Sequence, residues 1–266
     1  MNVLKTVCCL AIGLTLSSQA LNAKDLEIER LTWAGVKFST ANTTVILDGM
    51  TTDIWNGNAP QGFVAATADT SRRYALVSHT HNDHFDAGGL PELLGDRGYV
   101  ISLDTMATNI ASRGFKVIST PMYVPVERGG FVFIPVPAID GFGSEQISWI
   151  IKHKEGTFLH GGDTLWHGGF ELLGKAYGPF DAVFLPINSP VVGGEGAIQQ
   201  GRVMTPEQAV DAAVDLGANV LVPIHYGFTD PPGYVETTNP LERVKAALKG
   251  KKLNLQALKP GEKLQQ

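Results

Sequence analysis

The sequence predicts an α/β fold in which two packed β-sheets carry helices on their outer faces. Three observations carry that expectation. Short apolar β-rich runs dominate the first half, at residues 26–32, 35–39, 43–48, 74–78, 100–103, 116–119 and 131–137. The second half repeats the pattern, at 147–153, 157–159, 182–186 and 219–223. Each half also carries helical stretches long enough to cover one face of a sheet, at 104–113, 206–216 and 241–248. Two sheets packed face to face satisfy this pattern. So does a single doubly wound sheet, and periodicity alone leaves the two open.

Taken in order, residues 26–32 alternate apolar and charged side chains, as an edge strand with one wet face does. Residues 35–39 and 43–48 flank Thr40-Ala-Asn and read as a hairpin. Tyr74-Ala-Leu-Val-Ser is a buried strand, and 87–94 is a short helix behind the segment that follows it. The hairpin of 147–153 and 157–159 turns about Lys154-Glu155-Gly156. Residues 206–216 form an amphipathic helix. Thr205 is its N-cap, Pro206 its first residue and Gly217 the residue just past its end. The terminal helix at 241–248 follows Asn239 and Pro240. There is no low-complexity linker and no repeat, so residues 24–266 are expected to be one domain.

The N-terminus is expected to lie outside that domain. Lys5 is followed by an apolar run at 7–16 and by the small residues Ser17, Ser18, Ala20 and Ala23. This is the pattern of a secretory signal over residues 1–23, with cleavage after Ala20 or Ala23. The run is too short for a membrane span. Cys8 and Cys9 are the two cysteines of the chain. Cleavage removes both, which excludes disulfides and a thiolate nucleophile or ligand in the mature protein. The expected location is periplasmic or secreted, with no membrane span after cleavage. The net charge of −5 and the lack of a basic patch argue against a nucleic-acid partner. A small-molecule substrate is expected instead.

The most informative run is Ser78–Asp86, S-H-T-H-N-D-H-F-D. It places His79, His81, Asp83 and His84 within six positions at the end of a buried strand. In extended chain, residues two apart point to the same side, so His79 and His81 can reach one metal. Asp83 and His84 lie where the chain must turn and can reach a second metal close by. Imidazole and carboxylate suit zinc, iron or manganese. Paired metals a few ångströms apart can clamp a hydroxide.

His79-Thr-His-Asn-Asp-His84 resembles the H-x-H-x-D-H signature of the metallo-β-lactamase fold superfamily. His160-Gly-Gly-Asp-Thr164 is similar to its G-D-T segment, and Val222-Pro-Ile-His-Tyr-Gly227 to the segment carrying its terminal metal histidine. Met204-Thr-Pro-Glu-Gln-Ala-Val210 before Pro-Ile-His-Tyr-Gly is most similar to one branch. That branch holds ascorbate-phosphate lactonase-like and N-acyl-phosphatidylethanolamine phospholipase-like hydrolases. The resemblance runs from about Ile28 to the last helix and selects the αββα sandwich, with the motif loops at one edge of the sheets. It implies two divalent ions, zinc first, with manganese or iron as alternatives. His79 and His81 would hold one, Asp83, His84 and His225 the other, with Asp163 between them. The sequence departs from the family at the third histidine of the first ion. Asp140 stands at that place, and a carboxylate can ligate there; the competing reading is the first residue of an Asp-Gly turn.

The resemblance implies a metal-dependent hydrolase that uses metal-bound hydroxide on an ester, lactone, amide or phosphodiester. Asp83 would also orient or deprotonate the attacking water. His167 would act in the cleft on substrate or leaving group, or else serve packing. His160, Asp86 and Asp48 are candidates to orient metal ligands, and each is also plausible as a packing or turn residue. His153, between two lysines, reads as a solvated hairpin residue. Tyr226, Trp55, Trp149 and Trp166 are candidates for pocket walls or core. The loops 49–62 and 189–202 would set the substrate. Two other functions stay open, namely iron-dependent redox or oxygen chemistry and a binding protein with a vestigial site.

Overall fold

The computed structural model describes residues 25–54, 60, 62–193, 201–227 and 233–266. The expected signal, Trp55 and the middle of the 189–202 loop lie outside the described residues.

Six strands form the first sheet. They are β1 (Glu27–Arg30), β2 (Val36–Ser39), β3 (Thr43–Leu47), β4 (Arg72–Leu76), β5 (Tyr99–Leu103) and β6 (Val117–Thr120), adjacent in chain order. The first three are an antiparallel meander, and β3 to β6 run parallel. Helix α1 (Leu90–Leu94) follows β4, and α2 (Asp104–Ser112) connects β5 to β6.

The second sheet repeats this plan. It contains β7 (Val126–Arg128), β8 (Phe131–Pro137), β9 (Ile147–His153), β10 (Gly156–His160) and β11 (Ala182–Pro186). A two-stranded ribbon pairs β12 (Val191–Val192) with β14 (Tyr234–Val235). Two further strands, β13 (Val220–Ile224) and β15 (Asn254–Leu255), complete the second sheet in the order β15-β13-β11-β10-β9-β8-β7. Strands β7 to β10 are antiparallel, and β10, β11, β13 and β15 are parallel. Helices α3 (Phe170–Tyr177), α4 (Pro206–Asp215) and α5 (Pro240–Ala247) lie in the connections.

Alternation along the strands sorts side chains into layers. In β9, Trp149 and Ile151 join Phe38, Phe131, Phe133, Phe158 and Phe184 between the sheets. Ile150, one residue away, joins the outer cluster with Leu159, Val183 and Leu185, against Phe170, Ala209, Val210 and Val244 of the helices. Met106 and Ile110 of α2 cover the first sheet. The architecture is the αββα sandwich. Among the described residues, no helix is long and apolar enough to cross a membrane.

Local chemistry matches the expected helix ends. Thr205 Oγ1 accepts from Gln208 N at 3.2 Å, and Gln208 Oε1 accepts from Thr205 N at 2.9 Å. This reciprocal cap on α4 stabilises by about 1 kcal/mol. Gly217, past its end, has φ +66°.

The plan also fixes where a site can form. In both sheets the parallel strands end at the same edge of the sandwich, and open α/β sheets bind ligands outside such ends. The segments after β3, β4, β10, β11 and β13 carry Asp48, the 79–84 run, Asp163, Asn188 and His225. The second and third come close across the sandwich. Gly162 has φ +61°, and a Cβ there would lie 2.8 Å from Ser78 Cβ and 3.2 Å from Ile147 O. Gly162→Ala is therefore expected to cost about 1–3 kcal/mol. A lowered melting temperature checks this, and an unchanged one would refute the close approach.

Candidate metal centre

After β4 the chain turns tightly, with His84 N and Phe85 N donating to His81 O at 3.1 and 2.8 Å. The turn presents His79, His81 and Asp83 to one point. His79 Nε2 and His81 Nδ1 face each other at 3.0 Å. Ser78 Oγ lies 3.0 Å from His79 Nδ1, and Ser144 Oγ lies 2.9 Å from His81 Nε2. These contacts on the far nitrogens aim the near ones at a common position.

A second point is more deeply enclosed. His84 Nε2 and His225 Nε2 each lie 3.0 Å from Asp163 Oδ1. They are 3.6 and 3.7 Å from Asp83 Oδ2. The donors of Asp83, His84, Asp163 and His225 all fall within 4.8 Å of one another, as do those of His79, His81 and Asp83. Asp83 belongs to both groups. Asp163, expected between the two positions, is grouped with the second.

The near nitrogens of His84 and His225 and Asp163 Oδ1 are fully buried and have no hydrogen-bond partner. Buried polar atoms are rarely left so. Three of them converging, with a second carboxylate beside them, fit a divalent cation.

The remaining atoms of these side chains are tied to the fold. A carboxylate only accepts, so His84 Nδ1–H donates to Asp48 Oδ2, at 2.9 Å. The same carboxylate accepts from Ser78 N at 2.9 Å and from Ser78 Oγ at 2.5 Å. His225 Nδ1–H donates to Asn188 Oδ1 at 3.0 Å, and Tyr234 OH is the partner of Asn188 Nδ2. These bonds leave each Nε2 lone pair facing inward, the arrangement that supports metal ligation. Trp33 Nε1–H donates to Asp83 Oδ2 at 3.1 Å, and its ring packs on His225 at 4.0 Å between centroids. Trp33, Asp48, Ser189 and His225 all have left-handed backbone, with φ between +37° and +62°. Such backbone in non-glycine residues concentrates at functional sites.

The electrostatics follow from this crowding. Burial by itself pushes the His84 ring down, but Asp163 and Asp83 beside it raise it well above the usual histidine range. His225 is raised in the same way by Asp163. Asp163 is lowered well below the usual carboxylate range, the imidazoles of His225 and His84 outweighing its burial. Asp83 is lowered too, chiefly by His84. His79 goes the other way, pushed down to about 4 by burial and by His84, so it stays neutral. With no ion bound, the two carboxylates favour a proton on each Nε2; a cation bound here would displace those protons and take the freed lone pairs.

The other expected site residues separate. Asp140 does not join His79 and His81. Its Oδ1 accepts from Phe142 N at 3.0 Å and its Oδ2 from Ser144 N at 2.7 Å, so both oxygens serve its own loop. It contributes indirectly by holding Ser144 against His81. Asp140→Asn is expected to lose one of these bonds, about 1 kcal/mol, and to keep full metal content by elemental analysis. Loss of an ion would restore Asp140 as a ligand.

His167 also stands apart from both groups. Its Nδ1 accepts from Gly169 N at 3.1 Å and its ring stacks on Phe170 at 4.1 Å, at the start of α3. Asp86 contacts no histidine. It accepts from Thr51 N, Gly88 N and Gly89 N, fixing the loop before α1. His160 Nε2–H donates to Ala34 O at 2.7 Å, and its Nδ1 accepts from Gly162 N at 3.3 Å. It braces the turn that carries Asp163. His153 packs its ring on Phe131. Trp149 is core, its indole donating to Val77 O, while Trp166 is exposed. Tyr226 packs beneath the Arg30 guanidinium and against the outer apolar cluster. Trp33, Asn188 and Ser144 went unmarked in the sequence. Their one signal is position, each lying in a connection beside a motif strand or loop.

Comparisons with known proteins identify the family. The family model of the beta-lactamase superfamily domain matches residues 58–226. A metal-dependent hydrolase of Rubrobacter xylanophilus is 30% identical over 208 residues, covering 71% of this chain and 77% of the relative. The metallo hydrolase Igni18 of Ignicoccus hospitalis is 20% identical with a TM-score of 0.65, covering 90% of this chain and 97% of that one. CmlA, a diiron β-hydroxylase of Streptomyces venezuelae, superposes with a TM-score of 0.73 at 15% identity, over 92% of this chain and 55% of its own. The chain belongs to the β-lactamase superfamily and is a metal-dependent hydrolase within it.

Proposed function

We infer that this is a periplasmic or secreted hydrolase with two divalent ions, zinc first among the candidates, acting on an ester, lactone, amide or phosphodiester. The observation that carries the reading is the convergence of three buried, unpartnered donor atoms on one point, beside a second histidine pair that shares Asp83. His79, His81 and Asp83 would hold one ion. His84, His225, Asp163 and Asp83 would hold the other. Bound ions supply Lewis acidity and activate water near neutral pH. The protein's part is to hold the donors. Asp48, Asn188 and Trp33 fix the second set, and Ser78 and Ser144 fix the first. Asp83 reaches both sets, and it is the carboxylate placed to orient or accept a proton from attacking water.

The mixed imidazole–carboxylate set suits zinc, manganese and iron alike. Iron-dependent oxygen chemistry is the second reading, favoured by the fold shared with a diiron hydroxylase. The exported location rests on the charged, apolar and small-residue order of residues 1–23. The acidic net charge supports a small-molecule substrate and speaks against nucleic acid.

One experiment separates these readings. The purified protein is analysed for metal, stripped by a chelator, and assayed on ester, lactone, amide and phosphodiester substrates before and after zinc or manganese is returned. Loss of hydrolysis on stripping and recovery with zinc supports the proposal. Turnover at verified zero metal overturns it. A visible iron spectrum with oxygen consumption favours the redox reading, and an inert protein a vestigial site.

A further inference from the structure

Trp33 sits in the turn between β1 and β2, against the second cluster. It is 2% exposed and adopts left-handed backbone, φ +62°, which a bulky side chain rarely does. Three of its groups meet the cluster. Its indole N–H donates to Asp83 Oδ2 at 3.1 Å. Its ring lies 4.0 Å from the His225 ring, tilted by 43°. Its carbonyl accepts from His225 N at 3.1 Å, where His225 is itself left-handed at φ +56°. One residue therefore touches two of the four members of the second cluster, reaching 50 and 192 positions along the chain.

The chemistry of the donor matters. Indole is a neutral donor with no acceptor atom. It fixes the orientation of the Asp83 carboxylate without neutralising its charge, so the full negative charge stays available to a cation. An arginine or lysine at this place would hold the same oxygen but cancel that charge. The ring also packs against His225 at a tilt and helps keep it buried, while Asn188 fixes the far nitrogen.

We propose that Trp33 is a positioning residue for the second metal, setting the affinity of that position through the Asp83 carboxylate and the His225 ring. This rests on the reading that Asp83, His84, Asp163 and His225 hold an ion. Trp33 touches no substrate in this account. Its effect falls mainly on the second position, where it holds both Asp83 and His225, and reaches the first only through the shared Asp83.

The test is stepwise zinc binding to the full chain, measured by competition with a chromophoric chelator, for wild type, Trp33→Phe, Asp83→Asn and the double variant. Phenylalanine keeps a ring and removes the N–H. Trp33→Phe is expected to weaken the second zinc about 10- to 100-fold, as loss of a partner behind a metal ligand does, and to weaken the first, which shares only Asp83 with it, clearly less. In the Asp83→Asn background, Trp33→Phe should weaken the second zinc by much less. Wild-type affinity at both positions overturns the proposal. So does an equal loss at both, which marks a merely structural role. Should Trp33→Phe fail to fold, the wild-type indole N–H resonances decide. The Trp33 signal must shift on the second equivalent of zinc, and a signal that stays put through both equivalents overturns the proposal. His225→Ala separates the two levels. If it still binds two zinc ions with wild-type affinity, the assignment of the second position itself has failed.

Discussion

Asp163→Asn is expected to abolish the second metal and lower turnover by at least about a hundredfold, since even a partner behind a ligand is worth 10- to 100-fold. The substitution keeps the size of the side chain and removes its charge. In the native protein Asp163 Oδ1 lies 3.0 Å from both His84 Nε2 and His225 Nε2. With asparagine, the cation loses one of its two carboxylates. The two imidazoles lose the group that most raises them, since Asp163 is the largest raising influence on each. Elemental analysis after dialysis, paired with steady-state kinetics on the best substrate of the panel, checks the expectation. Two ions and wild-type turnover in Asp163→Asn would remove Asp163 from the centre.

His225→Ala is expected to empty the second position while leaving the first, with turnover again down by at least about a hundredfold. His225 belongs to one group only, and the His79–His81 pair does not share it. The cut also opens a space beneath Trp33, whose ring packs on the imidazole. Some loss of stability accompanies the loss of metal, and the two must be measured apart. Thermal denaturation gives the first and stepwise zinc titration the second. His84→Ala should behave alike at the metal and cost more stability, because it also takes the imidazole N–H from the buried, charged Asp48 carboxylate, which then keeps only Ser78 N and Oγ. Equal loss of both ions in either variant would mean the two positions are not separate.

Much of the centre was legible in the sequence because its donors cluster in chain order at strand ends. His79, His81, Asp83 and His84 fall within six residues, and Asp163 and His225 each follow an apolar run. What holds them was not legible. Trp33 reaches Asp83 across 50 positions, and Asn188 reaches His225 across 37. Asp48, whose orienting role was left open against a turn role, reaches His84 across 36. No local pattern encodes these pairings, and only the folded sheets bring them together. Asp140 was undecidable for a related reason. An Asp-Gly turn and a ligand at a strand end share one sequence, and the choice depends on whether the loop's own N–H groups claim the oxygens.

The long strands were legible from their apolar periods. The three two-residue strands are too short to have a period, and β7 ends on exposed Glu127 and Arg128. Helix α3 was missed for a packing reason. It has no side-chain cap and carries Gly174 in its interior. A Cβ at Gly174 would lie 2.6 Å from Asp215 O at the end of α4. The glycine that hides this helix in the sequence is what lets it pack.

The central claim is that the two groups sharing Asp83 are where the metals bind. Diffraction from crystals of the zinc-loaded protein, collected on either side of the zinc absorption edge, tests it most directly. Two anomalous peaks per chain are expected. One lies against His79 Nε2 and His81 Nδ1. The other lies among Asp83, His84 Nε2, Asp163 Oδ1 and His225 Nε2. A peak at Asp140 or His167, or no peak within the His84–Asp163–His225 group, would contradict it.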